Sequence, residues 1–186
     1  MIQQSTYLDN ATVSNSTIRS FIAKSHNSWL GAFLENSPME EFRWRPIRYV
    51  EGDQSYIDQH ANNPDRVMKD KDGKWQTNIL LPFKLLSPTG VAMNSKAAID
   101  DFKIVAGAVK EGKVSLEADI SDDVLEVLAD KVHQAWIVRE DWRRGKDADF
   151  DKVDVPYAEL PDVEKDKDRS RVRQMFEAIK RDCPRE

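Results

Sequence analysis

Two of the three histidines stand three residues before a tryptophan, in His26-Asn27-Ser28-Trp29 and in His133-Gln134-Ala135-Trp136. On a helix, positions i and i+3 share a face, so imidazole and indole can touch and present one flat surface. An indole suits stacking on a planar base. An imidazole can hydrogen-bond a ribose or phosphate, move a proton near neutral pH, or orient the indole beside it. With three His and five Trp in 186 residues, chance gives roughly 0.08 such spacings, so a pair points to an internal repeat.

A second match follows each histidine. Leu81-Pro82-Phe83-Lys84-Leu85-Leu86 resembles Val155-Pro156-Tyr157-Ala158-Glu159-Leu160, and Phe102 and Phe176 each follow the respective proline by 20 residues. The offset between copies is 107 for the His-Trp pairs and 74 for the later matches, which leaves 33 extra residues between Trp29 and Pro82. The chain therefore reads as a single domain over 1–186 made of two related halves. These are 14–110, with an insertion at about 35–78, and 118–182.

Four helices would position these groups. Ile18, Phe21, Ile22, Ser25, Trp29 and Phe33 recur at helical period over 16–34, after cap candidates Ser14, Asn15 and Ser16. Val124, Leu125, Leu128, Val132 and Trp136 do so from Ser121 to about 143, with Asp122 and Asp123 suited to the positive helix start. Ala98, Phe102 and Val105 mark a helix at 94–110. Val172, Met175, Phe176 and Ile179 mark one at 162–182, entered through Pro161. Within the insertion, Val67-Met68-Lys69 and Lys74-Trp75-Gln76-Thr77 flank Asp72-Gly73 as a β-hairpin, and Ile47-Arg48-Tyr49-Val50 is a further short strand. Asp70-Lys71-Asp72-Gly73 resembles a calcium loop, but the glycine comes too early and no glutamate closes it, so a turn is expected. The predicted fold is mainly α (α+β), with two pseudo-twofold-related halves of two helices each, small β elements and an inserted hairpin.

Composition narrows the function. The net charge of -5 and a pI near 5.3 disfavour a DNA or RNA polymer, whose binders carry a basic face. No apolar run approaches the length of a membrane span, and Met1-Ile2-Gln3-Gln4-Ser5 shows no signal-peptide pattern. Cys183 is the single cysteine, which excludes an internal disulfide and a cysteine-built zinc cage and fits a reducing cytoplasm. Gly-rich phosphate loops, nucleophile elbows and His-Glu-x-x-His are absent, so no catalytic residue, cofactor or metal is expected.

The segment Lys131-Val132-His133-Gln134-Ala135-Trp136, followed by Val155-Pro156-Tyr157-Ala158-Glu159-Leu160-Pro161 and Glu164-Lys165-Asp166-Lys167-Asp168-Arg169, closely resembles the ryanodine receptor repeat (RyR) domain. That family combines His-x-x-Trp on a helix, Val-Pro-Tyr-x-x-Leu, and Glu-Lys with an acidic-Arg pair opening the next helix. The resemblance covers 118–182 strongly and extends to 14–110 through His26, Trp29, Pro82, Phe83 and Leu86. In place of the family's Gly-Trp and Tyr-Gly, this chain has Trp142-Arg143-Arg144-Gly145 in one half and Phe42-Arg43-Trp44-Arg45 in the other. The family's paired repeats stack purine ligands on these tryptophans, so the resemblance implies that role for Trp29 and Trp136 in a cleft between the halves. Free-standing copies occur in bacteria and phages, which implies the cytoplasm of a bacterial host cell.

Around such a cleft, Arg139 lies one turn from Trp136, with Arg143 and Arg144 beyond it. Arg43, Arg45 and Arg48 form a comparable set, and either could meet phosphates. Phe83 and Tyr157 would pack beneath, with the Tyr157 hydroxyl free to reach a ligand. The expected activity is non-enzymatic binding of a small purine nucleotide or nucleotide second messenger: an ADP-ribose derivative, a cyclic ADP-ribose isomer or a cyclic oligonucleotide. The protein would act as a sensor, or as a sponge for an immune signal. Other readings stay open: indoles that cap each core, histidines satisfied by packing, a protein-interaction module, a homo-oligomer, and a nucleotide-cleaving enzyme using His26 or His133. The run 164–171 alternates in sign and reads as a solvated helix face.

Overall fold

The computed structural model describes residues 15–182. Ser14, Cys183 and the Met1–Ser5 segment lie outside the described residues. The fold is mainly helical, with one small antiparallel sheet. Its elements are α1 (Asn15–Asn36), β1 (Trp44–Pro46), α2 (Asp53–His60), β2 (Val67–Lys69), β3 (Trp75–Asn78), α3 (Pro88–Lys110), α4 (Asp122–Glu140), α5 (Ala148–Asp151) and α6 (Asp162–Asp182), with 3-10 turns at 83–85, 141–143 and 157–159. The described residues divide into two compact units, 19–96, and 97–182 with 15–18.

In the unit 19–96 the sheet order is β1-β3-β2. Arg45 stands opposite Thr77 on one side, and Val67 stands opposite Thr77 on the other. Ile47, Ile57 and Val67 form its buried cluster, with Tyr56 and Trp75 packed against them. Asp70 closes the β2–β3 turn: its Oδ1 accepts from the amides of Asp72 and Lys74, and Gly73 takes φ +76°. Asp70 Oδ2 accepts from Gln76 Nε2 of β3 at 2.9 Å, so both carboxylate oxygens are taken. Among the described residues no group of three or more His, Cys, Asp or Glu could hold a metal ion.

Three expectations for this unit need correction. The short strand lies at 44–46, ahead of 47–50, because Tyr49 adopts a left-handed conformation (φ +57°) that no strand tolerates. Segment 35–78 holds α2 and three strands, where only hairpin and strand were expected. α2 is short and mostly polar, so its period is faint. Helix α3 begins at Pro88, six residues before the expected 94. Ser87 accepts a hydrogen bond at its Oγ from the Gly90 amide (3.1 Å), and Pro88 enters the first turn with a φ already suited to it.

Asp53, fully buried, ties α2 to the start of α3. Its carboxylate accepts from the Val50 amide (2.8 Å), the Thr89 amide (2.9 Å) and the Thr89 hydroxyl (2.6 Å). Three neutral donors thus satisfy a charge that burial alone would penalise heavily.

The unit 97–182 is built on the packing of α4 against α6. Leu125, Leu128, Ala129 and Val132 of α4, Val172, Met175, Phe176 and Ile179 of α6, Phe102 and Val105 of α3, and Phe150 of α5 are all buried. The three-four spacing of the α4 and α6 sets is the amphipathic stripe that drives each helix onto its neighbour. Here too a carboxylate is fully buried. Asp101 accepts from Arg139 Nη1 at 2.9 Å and from Arg171 Nε at 2.6 Å. No helix among the described residues is long and apolar enough to cross a membrane.

Candidate functional site

Both His-x-x-Trp segments lie on helices, α1 and α4, and both histidines are buried, at 4% and 3% exposure. Each imidazole uses Nε2 to bond the main-chain carbonyl just before a proline: His26 to Leu81 O at 2.8 Å, His133 to Val155 O at 2.9 Å. The prolines explain why. Each fixes an extended backbone (Pro82 φ -50°, ψ 142°; Pro156 φ -53°, ψ 141°) that leads into a 3-10 turn. The carbonyl ahead of that bend has no helical partner, and the imidazole N–H supplies one. The ring that follows each proline closes on the histidine at matching geometry, Phe83 at 6.0 Å and Tyr157 at 6.1 Å, both inclined by 56°. The indoles sit 5.5 Å (Trp29) and 6.0 Å (Trp136) from their imidazoles.

Beyond that shared core the neighbours differ. Trp29 is 39% exposed, with Phe33 at 5.5 Å on its own helix and the Arg43 guanidinium 5.0 Å over the Phe33 ring. Trp136 is half-buried against the fully buried Phe150 (5.1 Å), and Arg143 lies over both rings at 6.0 Å and 5.3 Å. Arg45 is half-buried and donates to the Trp44 carbonyl at 3.0 Å. Phe42 and Trp44 stack on each other at 5.6 Å, Trp75 packs in the sheet core, and Trp142 is 36% exposed.

Several side chains expected to face a ligand also have partners within the fold. Arg139 belongs to the Asp101 clamp, which a buried carboxylate requires if it is to stay charged. Arg143 donates through Nε (3.0 Å) and Nη2 (2.8 Å) to Asp147, the residue that caps α5. Arg144 makes a two-pronged contact with Asp154 at 2.5 and 2.8 Å, and this holds the Asp154 carboxyl below its usual range. The Tyr157 hydroxyl donates to Glu126 at 3.1 Å. Burial and the adjacent Glu126 push it up to about 12, so it stays a neutral donor.

The run 164–171 is more than a solvated face. Lys167–Glu164 and Arg169–Asp166 are local pairs, as a charged helix surface would give. Arg169 also reaches Glu126 on α4 (2.6 Å) and holds its carboxyl low. Asp168 faces His133 Nδ1 at 3.5 Å, and Arg171 reaches Asp101. Glu126, Asp168, Asp101 and Phe150 are thus the site's unforeseen members. Partners as far as 43 residues away for Glu126 and 70 for Asp101 leave no local trace in the sequence.

A groove of about 350 Å³ runs between α4 and the Val155–Pro156 segment, lined by His133, Gln134, Ile137, Asp154 and Tyr157 among others. Compared with known proteins, the chain matches no family model, and no curated protein matches it significantly.

Proposed function

We propose that the protein binds a small purine nucleotide or nucleotide second messenger, with the base stacked on Trp29. It would hold this ligand without chemistry, as a sensor or sponge for a signal. The observation that carries this reading is the exposed Trp29 indole, braced by the buried His26 and flanked by Phe33 with Arg43 above it. A braced indole loses little freedom on stacking, and a guanidinium nearby complements phosphate. The resemblance of 118–182 to the RyR domain supports the same ligand class. Burial of both imidazoles against main-chain carbonyls supports a binding role over a catalytic one, since neither Nε2 is free to move a substrate proton.

Titration calorimetry against ADP-ribose, cyclic ADP-ribose isomers and cyclic oligonucleotides tests this. Binding tighter than millimolar, weakened by about 1–3 kcal/mol in Trp29→Ala with the fold intact, is the expected result. Absence of binding across the panel sinks the reading. A second reading has its own observation: Met39, Phe42 and Tyr49 in the same unit are 92%, 39% and 62% exposed, large apolar side chains that a protein partner would cover. Capture of one defined partner, unaffected by nucleotide and lost in Phe42→Ser, would favour it.

A further inference from the structure

We propose that His133 is a pH-operated latch between α4 and α6: protonated, it holds the Val155 carbonyl and the Asp168 carboxylate together, and neutral, it holds only the carbonyl. The geometry sets this asymmetry. A carbonyl can only accept, so Nε2 keeps its hydrogen in both states at 2.9 Å from Val155 O. In the neutral ring Nδ1 is then a lone pair, facing Asp168 Oδ2 at 3.5 Å, and two acceptors repel. Adding one proton at Nδ1 turns that opposition into a charge-assisted hydrogen bond linking α4 to α6. At 3% exposure His133 has little water to take over the role.

The surroundings favour the charged ring. Asp130 and Gln134 face it from α4, with Asp130 accepting from Gln134 at 2.9 Å. From the extended segment come Asp154, paired with Arg144, and Tyr157, whose hydroxyl is committed to Glu126. From α6 come Asp168, Lys165, whose ammonium lies 5.6 Å over the Tyr157 ring, and Arg169, which is paired with Glu126. Burial pulls the His133 proton affinity down. Asp168, the Val155 carbonyl and the charge of Asp130 outweigh that, leaving it above the ordinary histidine value. A group that binds its proton more tightly when folded stabilises the fold fully below its unfolded value. That contribution is lost as pH rises through the folded value. His26 shares the carbonyl bond, but among the described residues no carboxylate pairs with it, so the latch belongs to the unit 97–182.

Imidazole titration of the intact chain by NMR, run beside urea unfolding across pH 5 to 9, tests the latch. We expect the His133 midpoint above that of an ordinary histidine and an unfolding midpoint that falls over the same pH range. Asp168→Asn should lower the titration midpoint and flatten that fall. His133→Gln keeps a donor for Val155 O but cannot titrate, so its slope should be shallower than that of the wild type. A wild-type midpoint at or below the ordinary value overturns the proposal even if a variant fails to fold. So does a slope in His133→Gln as steep as in the wild type.

Discussion

Around His26 and around His133 the chain builds the same joint, an imidazole locked to the carbonyl before a proline with an aromatic ring folded against it. The chemistry surrounding the two joints differs. In the unit 19–96 the ring is Phe83, the buried carboxylate Asp53 is met by neutral donors, and the indole stays open. In the unit 97–182 the ring is Tyr157, tied into a Glu126–Arg169–Asp166 network. The buried carboxylate Asp101 is clamped by two guanidiniums, and the indole is half-buried against Phe150 and Arg143. Backbone geometry depends on the few residues that form the joint, whereas charge around it is free to vary. The His133 joint sits among ion pairs with its indole half-buried, whereas the His26 joint leaves its indole exposed.

The largest test of that contrast is Asp101→Ala. It removes the fully buried carboxylate that Arg139 and Arg171 share and should cost about 3–5 kcal/mol of unfolding free energy, read by urea denaturation. Asp53→Ala strands neutral donors and should cost less, about 1–3 kcal/mol. A larger loss at Asp53 would overturn the contrast between the two buried carboxylates. The indoles come next. Trp136→Ala should cost about 2–3 kcal/mol, somewhat under the usual core value because it is half-buried, while Trp29→Ala should stay below about 1 kcal/mol. Equal losses would mean that both are core residues, and the open site would disappear. The smallest effect converts one joint toward the other: Tyr157→Phe removes the bond to Glu126 and should cost about 0.5–1.5 kcal/mol in melting experiments. A loss well above that would show the hydroxyl to be central to the network, with Arg169 secondary.

How much of this was legible in the sequence follows from the range of each interaction. The four long helices are written in apolar spacing, and the hairpin in Asp72-Gly73 between short β-type runs, because these signals are local. The start of α3 was also written, in Ser87-Pro88, but a cap has no periodicity and the apolar stripe begins only later. Helix α2 is eight residues long and rich in Asp and Gln, so its burial rests on Ile57 and Asp53, too few positions to show a period. The aromatic half of the candidate site was visible in the His-x-x-Trp spacing. The ionic half was not, because which carboxylate meets Arg139, Arg171 or Arg169 depends on helix packing, not on neighbours along the chain. Arg139 and Arg143, placed near an indole by helical spacing, also hold Asp101 and Asp147 within the fold.

The order of the small sheet carries one more consequence, for how this protein behaves at high concentration. Its two outer strands are each three residues long; one ends in Pro46, which has no amide hydrogen to offer, and the other in Lys69, whose charge repels a like neighbour. Edges so short, and blunted in these two ways, give an incoming strand little to pair with. If copies of this chain associate, sheet extension is not the route, and crowded solutions should resist fibrous aggregation from this part of the molecule.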